Sequence, residues 1–165
     1  MNIFDSLKAD HAILRALSAS LLETHGDSAT RDRVFTELKS TMWAHEKAEE
    51  RFFYIPLLEA DSTQEKARHS IAEHHELDEF VENLEEIQYS SSAWLKTATQ
   101  MVDRLHHHLD EEEQDFFKLA GKVLSAAQKD LLAQEYRALM DAERLMPRRQ
   151  QTLHHDAVTP SSSTK

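Results

Sequence analysis

The chain has 165 residues, a length that suits one domain with a continuous core. Its 30 Asp and Glu residues outnumber 19 Lys and Arg, and the formal net charge of −11 argues against nucleic acid or an anionic membrane as a partner. Because there is no cysteine, disulfides, thiol redox chemistry and cysteine-ligated iron–sulfur clusters are excluded. Any redox or metal chemistry must use His, Asp, Glu and Tyr.

The N-terminal segment carries charged residues within its first ten positions, unlike a secretory signal. No stretch of the chain approaches the roughly 20 consecutive apolar residues of a membrane span. We therefore expect a soluble, cytoplasmic protein.

Turn residues are scarce, since the chain has two glycines and three prolines. This composition argues against a many-stranded fold and favours helices. Start and stop signals predict five helices, at about residues 2 to 25, 28 or 30 to 60, 62 to 88, 92 to 121 and 125 to 142. Three starts carry capping signals, at Asn2, Ser62 and Ser125. Gly26 and Gly121 are placed to end the first and fourth helices, and Pro56 to bend the second.

Four long helices joined by short loops are expected to pack as antiparallel neighbours. The predicted fold is therefore all-α, an up-down-up-down four-helix bundle with a short fifth helix, comprising residues 1–143. The fifth helix either covers one side of the bundle or forms a dimer contact. Residues 144–165 lose periodicity and are expected to be a flexible tail, with His154 and His155 outside any site.

Each of the four bundle helices has an apolar stripe that a histidine interrupts, and two of them add a glutamate one turn later. The inward-facing polar residues predicted in this way are His11, His45, Glu49, His74, His108 and Glu112. Counting from the connecting loops places His11 level with His45, and places His74 within about 3 Å of His108. A carboxylate in an apolar core is costly without a compensating cation, and no Lys or Arg lies on these stripes.

Four imidazoles and two carboxylates are too many ligands for one tetrahedral zinc ion, and they suit two six-coordinate ions of iron or manganese type. Three further His-x-x-x-Glu pairs begin at His69, His75 and His107, but their helical phase predicts a solvated charged face. Tyr54 also lies off the stripe on this periodicity, which argues against a role as an electron or proton donor.

The order of these motifs carries a family resemblance. The segments DH at residue 10, HEKAEERFFY at residue 45, EHHELDEF at residue 73 and HHLDEEEQDFF at residue 107 resemble the hemerythrin-like, or HHE cation-binding, family. The resemblance covers roughly residues 3 to 120. It implies a non-haem di-iron centre inside the bundle, with His11 and His45 on one iron, His74 and His108 on the other, and Glu49 and Glu112 bridging them.

The sequence departs from the oxygen-carrying hemerythrins at two places. Asp78, rather than a histidine, follows His74 by four positions, and Glu112 follows His108 by four positions where those proteins have His-x-x-x-x-Asp. These changes argue against simple reversible oxygen carriage. His75 remains an alternative to His74, and coordination by Asp78 remains open.

The resemblance implies a centre that binds O2, peroxide or NO for sensing, scavenging, or oxygen and iron handling, with manganese or another divalent metal as alternatives to iron. Such a centre could react with peroxide or NO, but the residues do not suggest a typical hydrolase or transferase. A ferritin-like oxidase is disfavoured because no histidine has Glu three positions before it. The remaining alternative is a metal-free or differently metallated helical interaction module.

Overall fold

A computed structural model describes residues 1–146, which form five helices and no strand. The helices are α1 (Ile3–Leu22), α2 (Ala29–Glu49, continued by a π-helical stretch Glu50–Tyr54 and a last turn Ile55–Leu58), α3 (Asp61–Glu86), α4 (Ser92–Glu111, continued by a π-helical stretch Glu112–Phe116 and Phe117–Val123) and α5 (Ala126–Leu145). Most of the predicted tail, including His154 and His155, lies outside the described residues.

The first four helices form the bundle, in which α1 packs against α2 and α4, and α3 packs against α4 and the end of α2. The short connections make consecutive helices antiparallel. Helix α5 lies against α1 and α2, so it covers one side of the bundle. The predicted all-helical bundle with an appended C-terminal helix is confirmed. None of the helices in residues 1–146 has a segment apolar and long enough to cross a membrane.

Local signals set most of the helix starts. Asn2 and Ser125 both form capping boxes, as predicted. Helix α1 ends at Leu22, before the predicted end at residue 25, so Gly26 is not the residue that ends it, although Gly26 has a positive φ of 57° in the loop that follows. The predicted cap at Ser62 is wrong, because α3 already begins at Asp61 and has no side-chain cap. The tight α2–α3 connection is held instead by the Thr63 hydroxyl, which donates to the Leu57 carbonyl at 2.7 Å. Gly121 lies within α4 rather than at its end.

The apolar core is divided into two clusters, with a layer of polar side chains between them. On α1, Leu7 belongs to one cluster and Leu14 to the other, with the buried His11 between the two leucines. On α4, Leu109 and Phe116 lie on either side of Glu112 in the same way. The fold therefore holds a polar layer inside an otherwise apolar bundle.

Both π-helical stretches begin directly at or after the glutamate of a His-x-x-x-Glu pair. A π turn inserts one residue into the helix and shifts every later side chain around the axis. Pro56 accompanies the stretch in α2, but the stretch in α4 has no proline, so proline is not their common cause. After each insertion, the residue five positions beyond the glutamate takes the inward direction that simple α-helical periodicity gives to the fourth.

Candidate metal centre

The polar layer brings together all six side chains that the sequence singled out. They come from α1 to α4, and none is more than 2% exposed: His11, His45, Glu49, His74, His108 and Glu112. The alternative His75 is exposed, which favours His74 on α3. Asp78 is buried beside Glu46, whose pKa burial raises well above its usual value; the His74 charge opposes this shift and the Asp78 charge adds to it.

Two groups of three side chains present ligand atoms that lie within 4.8 Å of one another. His11, His45 and Glu49 form one group, and Glu49, His74 and His108 form the other. Glu49 Oε2 lies 3.2 Å from His45 Nε2 and 3.3 Å from His74 Nε2, so this carboxylate is shared between the groups. The geometry therefore provides two adjacent positions for cations.

The second carboxylate, Glu112, also spans both groups. Its Oε2 lies 3.5 Å from His11 Nε2, and its Oε1 lies 3.7 Å from His108 Nε2. Each of the two carboxylates thus faces imidazoles of both hairpins, α1–α2 and α3–α4, as bridging ligands between two ions would.

Several atoms that face this centre are buried without a hydrogen-bond partner among the described residues. They are His11 Nε2, His45 Nε2, Glu49 Oε1 and Glu112 Oε2. Leaving a buried polar atom unpaired costs about 1–3 kcal/mol, and more for a charged group. Cations bound to these atoms would remove that cost, so the residues fit a metal centre.

The outward nitrogen of each histidine has a partner that fixes the ring. His11 Nδ1 lies 2.8 Å from a Glu113 oxygen, and His74 Nδ1 lies 2.9 Å from a Glu50 oxygen. His108 Nδ1 lies 3.1 Å from Glu73 Oε1. With Nδ1 protonated and donating to the acid, each of these rings directs the lone pair of Nε2 at the centre, as in other metal-ligating histidines.

His45 is held differently, through the C-terminal helix. Its Nδ1 lies 2.7 Å from the Tyr136 hydroxyl, which donates to Asp10 Oδ2 at 2.6 Å. Arg137 lies 3.4 Å from the other Asp10 oxygen, so this chain continues to a partly exposed cation. Helix α5 therefore positions a residue of the centre as well as covering the bundle.

Tyr54 is the residue that the sequence interpretation placed wrongly. It is fully buried, and its hydroxyl donates to Glu49 Oε2 at 2.9 Å and to Glu112 Oε1. The same oxygen lies 3.4 Å from His74 Nε2 and 3.5 Å from His108 Nε2. The π insertion turns Tyr54 inward, and the signal that α-helical periodicity missed is a tyrosine five positions after Glu49.

Without a cation, the centre is electrostatically strained. Burial, and after it the Glu49 charge, raise the pKa of Glu112 well above its usual value. Burial would also raise the pKa of Glu49, but His45 and His74 hold it well below its usual value. Burial lowers the pKa of His108 to about 4, which keeps the imidazole neutral and able to coordinate. A cation would replace the proton on Glu112 and pair with both carboxylates.

Two comparisons with known proteins bear on the family and the fold. The family model of the hemerythrin HHE cation-binding domain matches residues 2–120. A crystal structure of a hemerythrin HHE cation-binding domain-containing protein from Mycobacterium kansasii superimposes with a TM-score of 0.79, at 23% identity, over 87% of this chain and 88% of that one. No curated protein matched the sequence. The bundle, the polar layer within it and the family match lead to one conclusion: the chain belongs to the hemerythrin HHE cation-binding family.

Proposed function

We propose that this protein binds two iron ions in its polar layer and, through them, a small oxidant or gas such as O2, peroxide or NO. The observation that carries the proposal is the set of four unpartnered, fully buried ligand atoms that face one another inside the bundle. Two adjacent groups of ligands, joined by a shared carboxylate, suit a pair of ions. Manganese satisfies the same oxygen and nitrogen ligands.

In the proposed assignment His11 and His45 hold one ion and His74 and His108 the other, with Glu49 and Glu112 between them. Tyr54 adds an oxygen ligand that the sequence resemblance did not include. When bound, the ion pair supplies electrons and exchangeable coordination positions for a small ligand.

The residues around the centre control water and protons. Phe117 stacks on the His11 ring, with 6.0 Å between ring centroids, and Phe53 and Phe116 pack together just beyond it. These rings exclude bulk water from one side. The Tyr54 hydroxyl holds a proton between two carboxylates, and burial first, then the Glu112 charge, raise its pKa well above its usual value. Cation binding would lower that pKa and release the proton.

The space beside the centre restricts the ligand to small molecules. It is lined in part by His45, His74 and His108, and it does not hold a molecule the size of water unless these side chains move. A diatomic gas or peroxide requires the smallest displacement, so we infer a role in sensing, scavenging, or oxygen and iron handling.

Anaerobic reconstitution with Fe(II), followed by metal counting and absorption spectra on admitting air, tests the proposal. We expect about two bound irons per chain in the native protein and about one in His108→Ala, which retains the group of His11, His45 and Glu49. The control, His75→Ala, removes an exposed histidine from α3 and should keep the native count. Less than about one iron in the native chain, or equal losses in the two variants, would contradict the assignment.

A further inference from the structure

Two of the His-x-x-x-Glu pairs that sequence phase assigned to a solvated face meet across α3 and α4. His69 Nε2 lies 3.5 Å from Glu73 Oε1 and 3.5 Å from Glu111 Oε2. On α4, His107 Nε2 lies 3.4 Å from the same Glu111 oxygen. We call these four residues, His69, Glu73, His107 and Glu111, the outer cluster.

The outer cluster is not a simple solvated charge pair, because one of its carboxylates is buried. Glu73 is 3% exposed, and its Oε2 has no hydrogen-bond partner among the described residues. Its Oε1 is fixed by His108 Nδ1 at 3.1 Å. A buried carboxylate oxygen with no partner is costly, and the other oxygen, Oε1, is the one that the exposed His69 side chain of α3 approaches.

Three separations within the cluster match those of ligands around a metal ion. The distances of 3.4–3.5 Å exceed the 2.7–3.2 Å of ordinary N–H···O hydrogen bonds. Ligands bound at about 2.1 Å to a tetrahedral ion lie about 3.4 Å apart. One ligand atom each from His69, Glu73 and Glu111 lies within 4.8 Å of the others, and His107 approaches the same oxygen of Glu111.

The outer cluster is accessible, unlike the centre. The His69 and His107 side chains are 53% and 60% exposed, and Glu111 is 24% exposed. Lys66 lies 3.3 Å from Glu111 Oε1, which leaves Oε2 directed at the imidazoles. An incoming ion would therefore reach the imidazoles from solvent and meet the buried carboxylate behind them.

We propose that the outer cluster is a second metal site, which binds one divalent transition-metal cation such as Zn²⁺ through His69, Glu73 and Glu111, with the exposed His107 joining them by a change of side-chain rotamer. Two imidazoles and two carboxylates suit a borderline cation and not Mg²⁺ or Ca²⁺, which prefer oxygen ligands. Glu73 also supports His108, so the outer cluster and the centre share one carboxylate. The proposal does not depend on which metal the centre holds.

The test uses the full chain without a histidine tag, stripped of metal and dialysed against Zn²⁺ at about pH 7.5, where free imidazoles are neutral. The number of bound ions and their affinities are measured by metal counting and calorimetry. We expect His69→Ala and His107→Ala each to lower the affinity for one Zn²⁺ ion per chain at least tenfold. His75→Ala removes an exposed histidine of the same motif from the same helix and should change nothing, and circular dichroism checks that each variant keeps its helices.

Ions in the centre are removed with Glu49→Gln, which takes away the carboxylate shared by both ligand groups and leaves both outer histidines in place. The Zn²⁺ ion held by the outer cluster should still bind in this variant, and its binding should be lost when His69→Ala is added. Persistence of every tight equivalent in His69→Ala and His107→Ala would overturn the proposal, as would an equal loss in His75→Ala. Failure of the centre to bind metal would leave the outer equivalent intact, so the two proposals fail independently.

Discussion

The hairpin α1–α2 and the hairpin α3–α4 contribute to the centre in closely similar ways. Each supplies one histidine from its first helix and a His-x-x-x-Glu pair from its second, with the two histidines 34 positions apart in both hairpins. The acid that directly follows each paired glutamate supports a histidine of the other hairpin: Glu50 contacts His74, and Glu113 contacts His11. The two hairpins, which form the two halves of the bundle, are therefore related by an approximate twofold symmetry of contacts.

The approximate symmetry is broken at two places. Tyr54, five positions after Glu49, directs a hydroxyl at the centre, while Phe117, five positions after Glu112, stacks on His11. In the second hairpin, Glu73, which precedes His74, contacts His108 directly.

In the first hairpin, the residue before the histidine is Asp10, and Tyr136 of α5 stands between it and His45. The Tyr136 hydroxyl oxygen lies 2.7 Å from His45 Nδ1 and 2.6 Å from Asp10 Oδ2, so it bridges the two side chains. His108 thus has a carboxylate partner and His45 a neutral phenol, so the two metal positions should differ in charge and reactivity.

The largest effect that we expect comes from removing the carboxylate that both ligand groups share. Glu49→Gln should abolish tight binding of both ions, because Glu49 Oε2 faces imidazoles of both hairpins. Glu112→Gln removes the equivalent carboxylate of the second hairpin and should retain partial binding, since Glu112 lies farther from its imidazoles. Iron counting after anaerobic reconstitution measures both. Equal losses in the two variants would show that the halves are equivalent.

Replacing Tyr54 tests the first break in symmetry. Tyr54→Phe should lower iron affinity about a hundredfold and remove any tyrosinate-to-iron(III) absorption band, because the phenol oxygen faces four candidate ligands. Metal titration and visible spectra of the aerobic protein measure these effects. Tyr89→Phe, which alters a phenol that hydrogen-bonds Asp32 outside the centre, is the matched control. An unchanged spectrum in Tyr54→Phe would exclude Tyr54 as a ligand.

Phe117→Tyr, combined with Tyr54→Phe, asks whether the asymmetry can be reversed. A phenol at position 117 would lie beside the His11 ring and could approach the ion held by His11 and His45. We expect a partial return of affinity and an absorption band at a different wavelength. No recovery in the double variant would indicate that the second π-helical stretch does not direct residue 117 at the centre.

The sequence was sufficient for the bundle and for the six inward residues, because both follow from α-helical periodicity and from the cost of buried carboxylates. It failed where periodicity itself changes: Tyr54 is turned inward by a π insertion that neither composition nor Pro56 revealed. Tyr136 was missed for another reason. Its role depends on which side of the bundle α5 covers, and this long-range packing leaves no mark in the local pattern.

The second break in symmetry is tested by Tyr136→Phe. The substitution removes the hydrogen-bond partner of His45 Nδ1 and leaves Asp10 paired mainly with Arg137. Loss of the hydrogen-bond partner of a metal-ligating histidine typically weakens metal binding by about 10–100-fold. We expect about a tenfold loss here because Asp10 remains nearby. The loss should fall on one ion only, which a stepwise metal titration resolves. A matching loss of both ions would indicate general damage to the bundle rather than repositioning of His45.

The smallest effect concerns a contact that the two halves share. The hydrogen bond from His11, and after it Arg15, lower the pKa of Glu113 to about 2 in the folded protein. Because a lowered carboxyl pKa favours the folded state when the group is ionised, the stabilisation is fully present above the unfolded pKa of about 4.3 and is lost as the pH falls through about 2. In chelator-treated protein, Glu113→Gln should therefore cost about 1 kcal/mol at pH 7, a value reduced for partial exposure to solvent. Urea unfolding at several pH values measures the free energies of unfolding of the native protein and of the variant, and the two values should converge as the pH falls from 5 towards 2. A difference that stays constant over this range would mean that the contact acts through packing and not through charge.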